Sequence, residues 1–206
     1  METKVLSKNP PSPLKPDEGP NFTTHQLARE GSVWVFRPAG FARIFPRVFT
    51  LFGYLFIAAA VVTMWQNLFN GLAALCAGGL AIGVGRYLAT LLGSGARFDT
   101  MRSLVEIPEQ PTLKIRFDAP PATTLIDFAE VSELEIVHKR VTDSEIDDYD
   151  NYELNLVTQD GRRLNLVSHP NGVQIAREAK QLGTILGKPV ADWRASTITR
   201  NGKLNQ

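Results

Sequence analysis

The stretch GVGRYLATLLGSGARFD, Gly83–Asp99, passes from glycine-rich apolar sequence into charged sequence and strands one arginine, Arg86, among apolar neighbours. Whether Arg86 lies inside an apolar layer or at its border decides where one part of the chain ends and the next begins. From Val48 to Leu92 it is the only side chain that carries a full charge. Two apolar runs fill that interval. The first, VFTLFGYLFIAAAVVTMW (Val48–Trp65), would span about 27 Å as a helix, enough to cross a hydrocarbon layer. Pro46 stands where the first helical turn is expected, Arg43 and Arg47 flank that end, and Trp65 closes the other as an interfacial anchor does.

The second run extends from Leu68 to Leu92 and leaves its frame open. An arginine at the centre of a span costs about 2.5–3.5 kcal/mol, which cancels roughly six apolar residues at about 0.3–0.6 kcal/mol each. Framing the span as Leu68–Tyr87 removes most of that cost. Arg86 then reaches the headgroups, with Tyr87 beside it as an aromatic anchor. The sequence thus reads Arg86 as an edge residue, against the alternative of a functional charge buried in the membrane. Only QNLFN (residues 66–70) joins the runs, so they form a tight hairpin. Arg37, Arg43 and Arg47 precede it and Arg86, Arg97 and Arg102 follow, which places both termini in the cytoplasm. Two rows of small residues mark the second span: Gly79 with Gly83, and Ala77, Ala81 and Gly85. One row is expected to pack on the first span; the alternative reading has the other row dock a partner helix or a second copy.

The remaining chain divides accordingly. Residues 1–22 are polar and proline-rich and read as a disordered tail. Residues 23–45 read as a lead-in that lies along the membrane surface or is irregular. Residues 46–95 form the hairpin, residues 96–193 a folded domain, and residues 194–206 a flexible tail. The single cysteine, Cys76, gives no intramolecular disulfide, and a net charge of +1 argues against a nucleic-acid binder.

The domain reads as strands followed by one helix. ARFDTMRSLVEI is a hairpin turning at Thr100–Ser103; TLKIRF and ELEIVHKRV alternate as half-buried strands do. In YELNLVTQDGRRLNLVSH, a three-residue loop, Gln159-Asp160-Gly161, pairs Leu156 with Leu164, Leu154 with Leu166 and Asn155 with Asn165. Asn171 caps a helix, with Gln174 as its capping-box partner. Ile175, Ala179, Leu182 and Leu186 make one apolar stripe, and Gly187 and Pro189 end it.

This order of two spans, an RFDTMRSLVEI lead, a strand ending ELEIVHKRV, the YELNLVTQDGRRLNLV hairpin and a helix ending LGKPV resembles small bacterial membrane proteins with a cytoplasmic pleckstrin-homology-like domain. The resemblance covers about Pro46 to Trp193 and rests on layout. It implies a membrane α-helical hairpin plus an α+β domain: an antiparallel bent sheet or partial barrel with one C-terminal helix. It also implies the bacterial inner membrane, with both termini cytoplasmic, and no catalytic residue.

No chemistry-bearing motif contradicts that. His25, His138 and His169 stand apart from any cysteine or carboxylate at ligand spacing. In TDSEIDDYDNYE, Asp143, Glu145 and Asp147 imitate the start of a calcium loop, but Asp148 holds the glycine position and Leu154 the glutamate position. The stretch reads as a solvated hairpin loop. There is no phosphate loop and no nucleophile elbow. No cofactor and no metal are expected, and the chain reads as a non-enzyme. Arg97, Arg102, Lys139 and Arg140 are the candidate lipid-binding residues, joined by Lys114, Arg116, Arg162 and Arg163. The expected function is a membrane-tethered interaction or scaffold module, held by the lipid bilayer and a membrane-protein partner or homo-oligomer. The alternatives are a sensor of anionic lipid and an accessory subunit of a transporter or membrane enzyme.

Overall fold

In the computed structural model, residues 11–14, 19–93, 95–108, 123–142 and 148–194 are described. The chain begins its regular structure with two strands, β1 (His25–Glu30) and β2 (Val33–Pro38). They pair antiparallel around Gly31-Ser32, where Gly31 takes φ +63°, a conformation that glycine adopts without cost. Leu27, Trp34 and Phe36 pack into the core. Residues 25–38 are thus regular strand and not an irregular lead-in, and the correction has a clear cause. Their partner is β3 (Arg97–Asp99), some sixty residues away in sequence: Val33 pairs with Asp99, Trp34 with Phe98 and Val35 with Arg97.

Between β2 and β3 stand two long helices, α1 (Gly40–Gln66) and α2 (Leu68–Gly93), each long and apolar enough to cross a membrane. They exceed the expected spans at the end nearest the sheet. Pro46 is therefore inside α1 rather than in its first turn, because the helix starts as soon as extended Ala39 releases the strand. Asn67 interrupts the helices and caps α2, accepting from the amides of Phe69 and Asn70.

The two helices meet along a seam of small residues at seven-residue spacing. Pro46, Gly53 and Ala60 are buried on α1; Gly71, Gly78 and Gly85 are buried on α2. A Cβ on Gly78 would lie 2.8 Å from the Gly53 carbonyl, and one on Gly85 would lie 2.8 Å from the Pro46 carbonyl. Backbones approach this closely only without side chains between them. Of the five small residues named from the sequence, Gly85 lies in the seam and Ala81 is half-buried. Ala77 is exposed, and Gly79 and Gly83 would meet nothing within 4 Å. The reason is periodicity: an antiparallel pair holds one face together over many turns at a seven-residue repeat, not at a four-residue one.

The return to the sheet is equally tight. A Cβ on Gly95 would fall 1.8 Å from the Phe36 carbonyl, and the Phe36 amide donates to the Ala96 carbonyl at 3.0 Å. β3 turns through residues 100–103 into β4 (Leu104–Pro108), and β5 (Thr123–Asp127) completes a five-stranded antiparallel sheet, β1-β2-β3-β4-β5. One short 3-10 turn, Phe128–Glu130, carries the chain into β6 (Val131–Val141). β7 (Tyr149–Thr158) and β8 (Arg163–His169) follow antiparallel; then come α3 (Gly172–Leu186) and β9 (Val190–Asp192), which joins β6 in parallel. The antiparallel bent sheet or partial barrel expected from the sequence is laid out as two sheets, the second mixed by parallel β9, in the order β8-β7-β6-β9. Phe36, Phe98, Val105 and Ile126 of the first sheet and Leu134, Ile136, Leu154 and Leu156 of the second share one core, which Ile175, Ala179, Leu182 and Leu186 of α3 close.

The local readings of the second sheet hold with two adjustments. Leu156 pairs with Leu164 and Asn155 with Asn165 around Gln159-Asp160-Gly161, with Gly161 at φ +84°. A register shift follows, so Leu154 pairs with Val167 and not with Leu166; both residues are buried, as a bulge allows. Asn171 caps α3, accepting from the amides of Val173 and Gln174, but the Gln174 side chain donates to Glu178 instead of returning to the cap. The TLKIRF strand, with Lys114 and Arg116, most of the acidic stretch before β7, and nearly all of residues 194–206 lie outside the described residues. Of the N-terminal tail, residues 11–14 and 19–22 are described, and they are seated on the domain rather than free.

The seam predicts an asymmetry between adjacent glycines. Gly78→Leu should lower the thermal midpoint of the detergent-solubilised chain, by the equivalent of about 1–3 kcal/mol of overpacking or more, while Gly79→Leu leaves it nearly unchanged. Equal melting of the two variants would refute the seam.

Candidate functional site

A groove of about 710 Å³ opens in the angle between the first sheet and the feet of the two helices. Its floor is the sheet face that points away from the core: Gln26, Ala28 and Glu30 of β1, Val35 and Arg37 of β2, Arg97 of β3, Glu106 and Pro108 of β4. Its wall is the foot of α1, which contributes Arg43 and Arg47, with Gly93 at the foot of α2. Spacing of four puts Arg43 and Arg47 on one helical face. Phe41, Phe45 and Phe49 form a neighbouring row with ring centroids 4.7 and 5.1 Å apart, and Phe22 packs edge-on against Phe41 at 5.6 Å.

Four arginines thus meet two glutamates. Arg37 pairs with Glu30, whose carboxyl it holds below the ordinary carboxylate range by donating a hydrogen bond. Arg97 stands 3.7 Å from Glu106, beyond good hydrogen-bond range. All four of these side chains are substantially exposed, so water and salt screen both pairs and either opens readily to a competing anion. Among the described residues, Arg43 and Arg47 have no acidic side chain within 4 Å. Chemically the groove offers a net positive, partly enclosed surface matched to a phosphate, which planar guanidinium groups grip through paired donors.

The sequence-predicted residues sort unevenly against this site. Arg43, Arg47 and Arg97 converge on it. Arg86 shares with Arg47 a shallower apolar groove of about 330 Å³ on the adjoining outer face, lined also by Pro46, Leu51 and Tyr54. Tyr87 is exposed, and Trp65 stands at the opposite tip of the hairpin. Arg102 lies in the turn after β3, at the end remote from the helices. Lys139 is not a surface cation: its side chain is 2% exposed and donates to Glu153, itself fully buried, at 2.8 Å. Arg140 is exposed but paired with Asp148 at 3.3 Å. Arg37 was missed because its place in the groove depends on β1 and β2 being strands. The signal that could have found it is the alternation VWVFRP after a Glu-Gly-Ser turn.

A buried polar cluster lies where the foot of α2 meets the rest of the domain. His169, at the end of β8, places Nε2 3.7 Å from Glu178 of α3; Glu178 also accepts from the Leu27 amide of β1 at 3.2 Å. His25 of β1 faces the same pair and the Leu92 carbonyl of α2. Burial pushes the His25 ring below its ordinary pKa of 6.5, and the charge of His169 acts in the same direction. The Leu92 carbonyl, second only to burial, and more weakly Glu178 act the other way without overcoming it.

Compared with models of known protein families the chain matches none, and compared with curated proteins it matches none.

Because His25 is harder to protonate folded than unfolded, the unfolded chain binds more protons as pH falls below 6.5. The contribution of His25 to stability is therefore complete above that pH and is lost below it. The thermal midpoint should fall between pH 7.5 and pH 5.5, and His25→Asn should flatten that slope whatever it does to the midpoint itself. An unchanged slope would show that His25 does not report the join between helices and domain.

Proposed function

We propose that the chain is an integral membrane protein whose two helices cross the bilayer as a hairpin and hold a non-catalytic binding domain against the cytoplasmic leaflet. The groove at the helix feet takes the phosphate headgroup of an anionic lipid. The observation that carries this reading is the pair Arg43 and Arg47, without acidic partners among the described residues, lining a groove between sheet and helix foot.

Geometry supports the depth. From Arg47 to the Gln66 turn the helix rises about 29 Å, and from Leu68 to Arg86 about 27 Å, close to the roughly 30 Å of a hydrocarbon core. Arg47 and Arg86 line one groove, so a bilayer that buries the apolar length meets both at one headgroup level. Arg86 is then an edge residue and not a functional charge in the hydrocarbon. The faces turned outward remain apolar, with Leu51, Phe52, Leu55, Val61, Val62 and Leu80 all exposed. Water would oppose such a surface, and lipid does not. Below the headgroups the helices continue as a short stem, which carries the sheet and lets its floor arginines meet the same layer. The reading takes the domain as pleckstrin-homology-like, for which the two-sheet core closed by one helix is the support, and takes both termini as cytoplasmic, for which the arginines at the sheet end of the helices are the support.

A second reading rests on a different face. Gly79 and Gly83 meet nothing within 4 Å, while the hairpin packs through other glycines. That open face suits a helix from a membrane-protein partner or a second copy.

In nanodiscs of graded composition, the chain should co-purify with anionic phospholipid in preference to phosphatidylcholine. Each arginine near an anionic surface contributes about 1 kcal/mol, so Arg43→Gln with Arg47→Gln should weaken that preference roughly thirtyfold, while Arg102→Gln leaves it intact. Equal retention of both lipids, or indifference to the double substitution, would sink the lipid reading. Reporter fusions at both termini should be active in the cytoplasm; activity on the far side at either end would sink the topology.

A further inference from the structure

The outer face of the second sheet, the one turned away from α3, sets a run of polar groups among the buried Val137, Val141 and Val157 and yet is closed off. Lys139 and Glu153 form a buried ion pair. Beside it, Arg163 donates to the buried carboxylate of Glu135 at 2.7 Å, and Asn165 donates to buried Asn155 at 3.0 Å. Buried charges weigh against stability unless every lone pair and proton is answered, and apolar residues of equal size would serve the fold as well. Such a face is better explained by something it recognises.

The described parts of the N-terminal region show what it holds. Glu153 accepts from the Leu14 amide at 2.9 Å, and Arg163 donates to the Ser12 carbonyl at 2.8 Å. The Tyr149 hydroxyl donates to the Gly19 carbonyl, and Asn151 Nδ2 donates to the Pro20 carbonyl at 2.7 Å. All four bonds go to main-chain atoms. Three of the four are to carbonyls, the one backbone group that proline keeps, and Ser12 stands between Pro11 and Pro13. The face therefore reads the main chain of a proline-rich segment and asks little of side chains. Gly19 is required for approach, since a Cβ there would lie 2.8 Å from the Asn151 side chain.

The fit is incomplete. Asn151 is fully buried, and its Oδ1 has no hydrogen-bond partner among the described residues; nor has Arg163 Nη2. Asn151 donates to the carbonyl of Pro20, a residue with no amide hydrogen to return to Oδ1. A residue other than proline at that place could close the pair.

We propose that this face is a peptide-binding groove for a proline-rich segment of a partner protein, which the chain's own Ser12–Leu14 and Gly19–Pro20 occupy in cis. The partner must displace that segment, so the groove is self-masked.

The probe is a fluorescent peptide of residues 9–22, NPPSPLKPDEGPNF, titrated by anisotropy against the detergent-solubilised chain with and without residues 1–20. The truncated chain should bind saturably, and the intact chain at least tenfold more weakly. Asn151→Ala in the truncated chain should cost tenfold or more, and a peptide carrying Pro20→Ala should bind more tightly than the parent. Circular dichroism and melting check the fold. If truncation unfolds the domain, intact chain carrying Gly19→Leu, which pushes the segment off Asn151, replaces it. Equal binding to masked and unmasked chains, no binding to a folded unmasked chain, or unfolding of both variants each overturns the proposal, the last by making the segment part of the core structure.

Discussion

Everything in this molecule depends on the hydrogen bonds between β2 and β3. The chain leaves the sheet at Pro38, runs out and back through two helices, and returns at Arg97 to the strand next to the one it left. Neighbouring strands lie about 4.8 Å apart, whereas packed helices lie about 8–10 Å apart. The helix feet must therefore converge on a pair of strands narrower than themselves. Gly95, against the Phe36 carbonyl, provides the close approach on the return side. On the outward side Ala39 is extended and Gly40 follows at φ +47°. The hairpin is thus not a tether on a linker. It is an insertion in a β-hairpin, and its orientation is set by the sheet.

That mounting explains why charge collects where it does. A strand alternates faces, so Arg37 and Arg97 project from the floor because Phe36 and Phe98 point into the core. Helical spacing then turns Arg43 and Arg47 toward the same angle. Two periodicities that are independent in sequence meet at one place only because β2 runs directly into α1. The seam adds to this: with Gly53 and Gly78 in backbone contact, the helices are held in register along their length.

The parts legible in the sequence were those whose partners are near in sequence. The apolar runs, the Asp160-Gly161 turn with its three-residue loop, and α3 with its Asn171 cap and Gly187 end are all local patterns, and each stands in the structure. The parts that were not legible involve distant partners. HQLAREGSVWVFRP carries a turn and an alternation, but strands need a sheet, and theirs arrives only after the helices. Lys139 reads as a solvated cation until β7 brings Glu153 across from its neighbour Val137. The choice among glycine rows was undecidable from α2 alone, since the deciding heptad belongs jointly to Pro46, Gly53 and Ala60. The bulge that replaces Leu166 with Val167 opposite Leu154 keeps two successive side chains buried, which simple alternation forbids.

The two binding surfaces proposed here lie on different sheets, and the tail touches both neighbourhoods. Phe22 packs on Phe41 at the foot of α1, while Gly19 and Pro20, only two residues earlier, lie on Tyr149 and Asn151 of β7. Three residues of chain reach at most about 10 Å, so a short connection joins these two sets of contacts. A partner that lifts Gly19 and Pro20 from the second sheet pulls on Phe22, and Phe22 rests on the aromatic row beside Arg43 and Arg47. An anionic lipid that draws the α1 foot and its phenylalanines toward the headgroups pulls the same connection from the other end. Were both surfaces to bind as proposed and to share this connection, linkage would require occupancy of one to change the free energy of the other by an equal amount in each direction. The short connection between Pro20 and Phe22 is the element on which both would act.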